Sequence, residues 1–264
     1  MVPLIVVEDV QKIFKSGANT VHALSGVSFD VPEGSFVSIV GPSGCGKSTL
    51  LKIISGLVPA TSGSIAVGGK TVAGPLENVG MVFQAPVLLK WRSVAANIML
   101  PVEFAKLDRA GYLEKARSLI RLVGLKGFEE TPPYELSGGM QQRVSLCRAL
   151  VTDPRMLLMD EPFGALDAMT RDELDLELLR ICGEKRMTVL FVTHNIQEAV
   201  FLSDEVVVMS PRPGKVIEKI AVELPRPRTL EMMSGAGFGR YTLRIRGMLA
   251  SAGGKSADAA GSTT

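Results

Sequence analysis

The sequence predicts an α/β fold with a mainly parallel sheet, and three observations carry that expectation. Runs of strand length, rich in aliphatic and β-branched residues and bounded by Gly, Pro or Asp, recur along the chain. Several are apolar almost throughout, as central strands covered on both faces must be. Between them lie segments whose apolar residues repeat at helical spacing, and strands alternating with helices are the pattern of an α/β sheet.

Taken in order, the strand-like runs occupy residues 4–7, 35–40, 64–67, 78–83, 156–159, 188–192 and 205–209. A helical segment at 50–57 follows a glycine-rich loop. In 110–123, Leu113, Ala116, Leu119, Ile120 and Val123 share one face, and Gly124 stands at the C-terminal stop. Residues 140–150 form another helix, and so do 168–181, whose early Asp and Glu are expected to complement the positive end of the dipole. From about Trp91 to Val151 nearly everything reads as helix, an insertion into the α/β core. Beyond Leu224 come Pro-Arg-Pro-Arg and a short helix over 241–249. Residues 251–264, mostly Ala, Gly, Ser and Thr without an apolar anchor, read as a disordered tail. The expected organisation is one domain over 1–230, with a core of 1–90 and 152–230 around a helical part at 91–151. A C-terminal extension, 231–264, follows with a disordered end. There is no internal repeat.

Composition removes several function classes. The 264 residues carry 29 Lys and Arg against 27 Asp and Glu, a net charge of +2. That balance argues against a nucleic-acid partner, which calls for a large basic excess. No apolar run approaches the ~18–20 residues that span a bilayer. The first ten residues carry Glu8 and Asp9 and no basic region, so they do not form an export signal. Cys45, Cys147 and Cys182 fit neither paired disulfides nor metal-ligand spacing, which suits a reducing, cytosolic setting.

Gly41-Pro42-Ser43-Gly44-Cys45-Gly46-Lys47-Ser48-Thr49 follows the run 36–40 and precedes a helical segment, so it matches G-x-x-x-x-G-K-[ST] in the strand–loop–helix context that motif requires. Glycines belong there because backbone N–H groups converge on phosphate oxygens with no side chain in the way. The following helix aims the positive end of its dipole at the same anion. Lys47 supplies a point charge to the β- and γ-phosphates, and the Ser48 hydroxyl is a ligand for Mg²⁺. The chain is therefore expected to bind a nucleoside triphosphate. Residues 156–159 are an apolar strand ending in Asp160 and Glu161. Strand ends line the ligand crevice of a parallel sheet. Asp160 would serve Mg²⁺ through water, and Glu161 would polarise or deprotonate an attacking water.

Leu136-Ser137-Gly138-Gly139-Met140-Gln141-Gln142-Arg143 opens a helix. With the two preceding motifs it resembles the nucleotide-binding subunit of ATP-binding-cassette (ABC) transporters, over roughly residues 4–225. The resemblance implies a P-loop NTPase core, an N-terminal antiparallel β part and an inserted helical subdomain. It also implies that Ser137, Gly138 and Gly139 of one copy cap the γ-phosphate of ATP·Mg²⁺ held by a second copy. Met140 stands where the family usually has Gln. The anion would still be held by the Ser137 hydroxyl and the glycine N–H groups at a helix N-terminus. Gln84 resembles the Q-loop glutamine that touches Mg²⁺ and water. Asp167, in Gly164-Ala165-Leu166-Asp167, resembles the D-loop at the dimer interface. His194 resembles the switch histidine on the γ-phosphate, and Phe14 the aromatic that stacks on adenine, a position more often Tyr.

Two segments narrow the match: the stretch 88–97 around Trp91, a region that in the family faces the coupling helices of the transmembrane subunits, and the prolines and arginines of 209–216 with 224–228, which are similar to the nitrate/sulfonate/taurine group of importers. A Pro-rich turn and a buried aromatic are the plainer readings of both. The implied partners are transmembrane permease subunits at the cytoplasmic face of the membrane and, indirectly, a solute-binding protein. Rival readings remain. A small-molecule kinase shares the phosphate loop but has no use for Ser137-Gly138-Gly139, and release of ADP with free phosphate separates the two. A soluble ABC ATPase acting on DNA or ribosomes tends to carry tandem cassettes or a long coiled-coil insertion. An inactive scaffold is disfavoured by the presence of Lys47, Asp160, Glu161 and His194. Exporter subunits are often fused to a membrane domain, so a free-standing chain points to import. The solute is not legible.

Overall fold

A computed structural model of the chain describes residues 2–17, 19–164 and 166–260. In chain order its strands are β1 (Pro3–Ser16), β2 (Asn19–Pro32), β3 (Phe36–Val40), β4 (Ser62–Val67), β5 (Lys70–Thr71), β6 (Val79–Val82), β7 (Met156–Asp160), β8 (Thr188–Thr193), β9 (Glu205–Met209) and β10 (Val216–Ala221). The helices are α1 (Lys47–Ile54), α2 (Val94–Ile98), α3 (Leu100–Phe104), α4 (Arg109–Leu122), α5 (Gly138–Leu150), α6 (Ala168–Lys185), α7 (Ile196–Leu202) and α8 (Ala236–Ala260). They fall into two compact units, residues 1–76 with 178–264, and residues 77–177.

The first unit holds an antiparallel sheet in the order β2-β1-β4-β5. Its β1–β2 hairpin forms the N-terminal antiparallel part that the resemblance implied, although serines, a glycine and a histidine interrupt the apolar pattern of β2. Strict alternation nevertheless runs through its end, with Val27, Phe29 and Val31 buried and Ser28 and Asp30 exposed. The same unit holds a second layer of strands in the order β10-β9-β3-β8. There β3 runs parallel to both β8 and β9, while β10 closes the edge antiparallel to β9. Every residue of β3 and β8 is buried, which explains their continuous apolar runs. Ser38 is tolerated at the centre because its hydroxyl pairs with that of Ser203.

Helix α7 is fastened at both ends. Asn195 caps its start, accepting from the N–H groups of Gln197 and Glu198. At the other end the Pro-Arg-Pro-Arg segment supplies cations to orphan carbonyls. Arg226 donates to Leu202 O at 3.0 Å, and Arg228 donates to Val200 O, Phe201 O and Ser203 O at 2.9, 3.0 and 3.0 Å. Arg228 is only 5 % exposed. Burial, then the charge of Arg226, lowers its pKa to about 10, so it stays charged at neutral pH. Helix α8 packs on α7 with Phe238 and Ile245 buried, and it is longer at both ends than the expected 241–249. The end of the expected disordered tail, 261–264, lies outside the described residues.

In the second unit β6 runs parallel to β7, and helices α2 to α5 occupy the stretch expected to be helical. Asp108 caps α4, and Gly124, at φ 70°, follows its end. Asn97 is fully buried and donates to the carbonyls of Leu89, Arg92 and Ser93, fixing the loop that carries Trp91. One expectation is corrected in α6, whose first turn contains no acid. Asp172 and Glu173 come a turn too late to meet the orphan N–H groups, and the preceding residue Asp167 meets them instead, accepting from Thr170 N at 3.0 Å.

All three cysteines are buried and outside any disulfide. Burial pushes the Cys182 thiol up to about 12 and Cys147 higher still. Among the described residues no helix is long and apolar enough to cross a membrane. Because Arg228→Met would leave three buried carbonyls without their donor, it should cost about 3 kcal/mol of stability. Urea unfolding of the variant beside the parent chain measures this.

Candidate nucleotide-binding and hydrolysis site

Strand register brings the first set of residues to one edge. Val40, the last residue of β3, pairs with Thr193 of β8 and Val208 of β9. The chain therefore leaves the sheet there at Gly41, at His194 and at Ser210, the C-terminal ends of three parallel strands. Gly46 precedes α1 at φ 108°, and a Cβ on it would lie 2.7 Å from Leu24 Cδ2 and 2.9 Å from Ala23 O. Only glycine fits this turn. No side chain caps α1, so its first N–H groups stay available to an anion. Lys47 is 5 % exposed, and its Nζ donates to Gly41 O and Pro42 O at 2.8 and 3.0 Å. This ammonium curls the loop Gly41–Gly46 around itself. Ser43 and Gly44 are exposed at the tip, and Ser48 and Thr49 are half-buried in the first turn.

The segment 210–214, read in the sequence only as a group marker, braces this loop. Arg212 Nε donates to Gly44 O at 3.2 Å. Gly214 N donates to Ala23 O, and Gly214 O accepts from Ser25 N, both at 3.0 Å. A Cβ on Gly214 would lie 2.2 Å from Cys45 O, so the approach tolerates no side chain. His194 is exposed directly after buried Thr193, whose hydroxyl bonds Glu198 and accepts from Asn195 N at 3.0 Å, fixing the turn. Phe14 lies on β1 and is 43 % exposed.

In the second unit the pairing Val82↔Met159 brings the ends of β6 and β7 to a common edge. Gln84 and Glu161 meet there, with Gln84 Nε2 donating to Glu161 Oε2 at 3.2 Å. Asp160, one residue earlier, is 4 % exposed. Glu161 has φ 46°, a left-handed conformation costing a side-chain-bearing residue of order 1–3 kcal/mol. The strain turns its carboxylate out of the strand line and toward Gln84.

Ser137 caps α5, its Oγ accepting from Met140 N at 3.2 Å. A Cβ on Gly138 would meet nothing within 4 Å, whereas one on Gly139 would lie 2.8 Å from Leu166 Cδ2. The two glutamines that follow have structural work the sequence did not disclose. Gln141 Nε2 donates to Pro133 O and Leu136 O. Gln142, 4 % exposed, donates to Phe83 O at 3.0 Å, fixing the residue before Gln84. Asp167 is exposed, and Thr170, through its N–H and then its hydroxyl, holds that carboxyl below the usual range. Trp91 is 79 % exposed, not buried, and Val87, Phe104 and Tyr134 of the same unit are 57 %, 79 % and 70 % exposed. Among the described residues no cluster of His, Cys, Asp or Glu could hold a metal alone. Ser48, Gln84 and the buried Asp160 offer oxygen donors of the kind Mg²⁺ takes in small number, phosphate and water completing its shell.

Comparison with known proteins adds independent findings. The family profile described as ABC transporter matches residues 24–164. The chain is 48 % identical over 222 residues to an uncharacterized ABC transporter ATP-binding protein, MJ0412, of Methanocaldococcus jannaschii, covering 84 % of this chain and 83 % of the relative. It is 50 % identical over 207 residues to the taurine import ATP-binding protein TauB of Rhizobium johnstonii, covering 78 % and 79 %. The aliphatic sulfonates import ATP-binding protein SsuB of Bacillus cereus is 43 % identical over 227 residues, covering 84 % and 88 %. Among solved structures, the dimeric bacterial ABC transporter cassette MJ0796 superposes with a TM-score of 0.77 at 31 % identity, covering 84 % of this chain and all of that one. A dimeric post-hydrolysis state of the same cassette, bound to ADP and Pi, gives 0.76 at 30 %, with the same coverage.

Gly214→Ala forces a methyl group into the Cys45 carbonyl, so it should displace the loop and weaken ATP binding roughly tenfold. Titration calorimetry of the variant against the parent chain checks this.

Proposed function

Because the chain belongs to the ABC transporter family and is an ATP hydrolase, we propose that it powers the uptake of a small sulfonated solute, acting from the cytoplasmic face of the membrane. The relatives named for taurine and aliphatic sulfonate import support the solute class. The observation carrying the hydrolytic reading is the Gln84–Glu161 hydrogen bond, 3.2 Å long, at the end of a strand whose last residue is a buried aspartate.

In this reading Lys47 and the N–H groups of residues 41–49 bind the β- and γ-phosphates, and the exposed face of Phe14 takes the adenine. Ser48, Gln84 and, through water, Asp160 would hold Mg²⁺. When bound, the ion offsets phosphate charge as it develops in the transition state. Glu161 orients the attacking water and accepts its proton, with Gln84 steering the carboxylate. His194 donates to the γ-phosphate. Ser137, Gly138 and Gly139 reach the triphosphate held by a second copy of the chain, with Asp167 at the same interface. The dimeric state of the solved MJ0796 cassettes supports that pairing. The permease subunits dock on the exposed apolar side chains Val87, Trp91, Phe104 and Tyr134, since large apolar groups left in water mark an interaction surface. A solute-binding protein acts on the far side of the permease, and no nucleic acid takes part.

Glu161→Gln should cut turnover at least a hundredfold while keeping ATP affinity, whereas Lys47→Ala should lose affinity itself. Phosphate release and titration calorimetry separate the two effects. Trp91→Ala should leave the hydrolysis of the isolated chain intact and reduce co-purification with its membrane subunits.

A further inference from the structure

Lys12 is a lysine almost without water, 9 % exposed on β1. Its Nζ donates to Pro59 O at 2.7 Å and lies 4.9 Å from the centroid of the Phe14 ring. Among the described residues no carboxylate pairs with it, so its partners are one carbonyl and one aromatic face. Residues two apart on a strand share a face, which is how the ammonium reaches the ring. The loop beneath is sewn to the strand on both sides of Lys12. Thr61 N donates to Gln11 O at 2.8 Å, and Ile13 N donates to Thr61 Oγ1 at 3.0 Å. Pro59 follows closely on α1, the helix that begins at Lys47. The Lys12–Pro59 bond thus ties Phe14 to the element that carries the phosphate loop.

We propose that Lys12 is a positioning residue for adenine binding. It occupies one face of Phe14, so the ring stands away from the 59–61 loop and offers its opposite face to the base. A half-exposed phenylalanine with no such anchor would fold down onto the nearest apolar surface. The ring's negative face, drawn to the buried charge, holds a fixed tilt instead. The inference rests on the reading of Phe14 as the stacking residue, and it extends that reading to a residue that never touches nucleotide.

Titration calorimetry of the full chain with Mg²⁺ and either ADP or inorganic pyrophosphate tests it, because the two ligands differ by the adenosine. Lys12→Met should weaken ADP roughly three- to tenfold and leave pyrophosphate within twofold. Lys12→Arg, which keeps a cation over the ring, should restore ADP affinity. Phe14→Ala should show the same ADP-selective loss, and the double variant should be no weaker than Phe14→Ala alone. Equal losses for both ligands in Lys12→Met, or no loss for either, would overturn the role of Lys12. Parent-like ADP affinity in Phe14→Ala would instead remove the stacking residue, and the inference with it. Thermal melts of each variant distinguish these outcomes from unfolding.

Discussion

The buried ammonium of Lys47 is the interaction on which the site depends. Among the described residues it has no carboxylate partner, only the carbonyls of Gly41 and Pro42. Two neutral carbonyls fix its position but do not cancel its charge, so the loop keeps a net attraction for a polyanion. That arrangement dictates much of its surroundings. Gly46 has to be glycine for the chain to re-enter helix above Leu24 and Ala23. Gly214 has to be glycine so that the strap 210–214 lies flat on the Cys45 carbonyl. Strand β3 has to be buried on both faces so that its end does not move.

Register does the remaining placement. In a parallel sheet all strands finish at the same edge, so a residue just past one strand end is brought near a residue just past the next. Val40, Thr193 and Val208 align in one unit, delivering the phosphate loop, His194 and the strap. Val82 and Met159 align in the other, delivering Gln84 to Glu161. Backbone pairing, which carries no chemistry, decides which chemical groups meet. The strained φ of Glu161 fits the pattern, because a carboxylate that continued the strand would alternate away from Gln84.

Much of this was legible in the sequence. Glycine spacing ahead of Lys47 and the acidic strand end at Asp160 are local signals, and both stand where they were expected. What escaped depends on contacts between distant residues. The β2 strand alternates over Val27, Phe29 and Val31, but its polar interruptions keep it from standing out as an apolar run until β1 pairs with it. The five glycines of α8 lower its helix propensity, and burial of Phe238 and Ile245 against the rest of the unit overrides them. Lys12, Gln142, Arg212 and Arg228 look like solvated polar residues in a linear reading. Each is bonded to a carbonyl 20 or more residues away in the chain. The acids of α6 failed as a dipole signal for a simpler reason, falling one turn beyond the orphan N–H groups.

In the proposed reading Lys47 primes half of a triphosphate site, and the Ser137 helix start of a second chain completes it. Light scattering of the Glu161→Gln chain with Mg²⁺ and saturating ATP tests this directly, because bound nucleotide then persists. The account predicts a species of twice the chain mass that returns to single chains when ATP is removed. Single chains throughout, with calorimetry showing that ATP is bound, would contradict it.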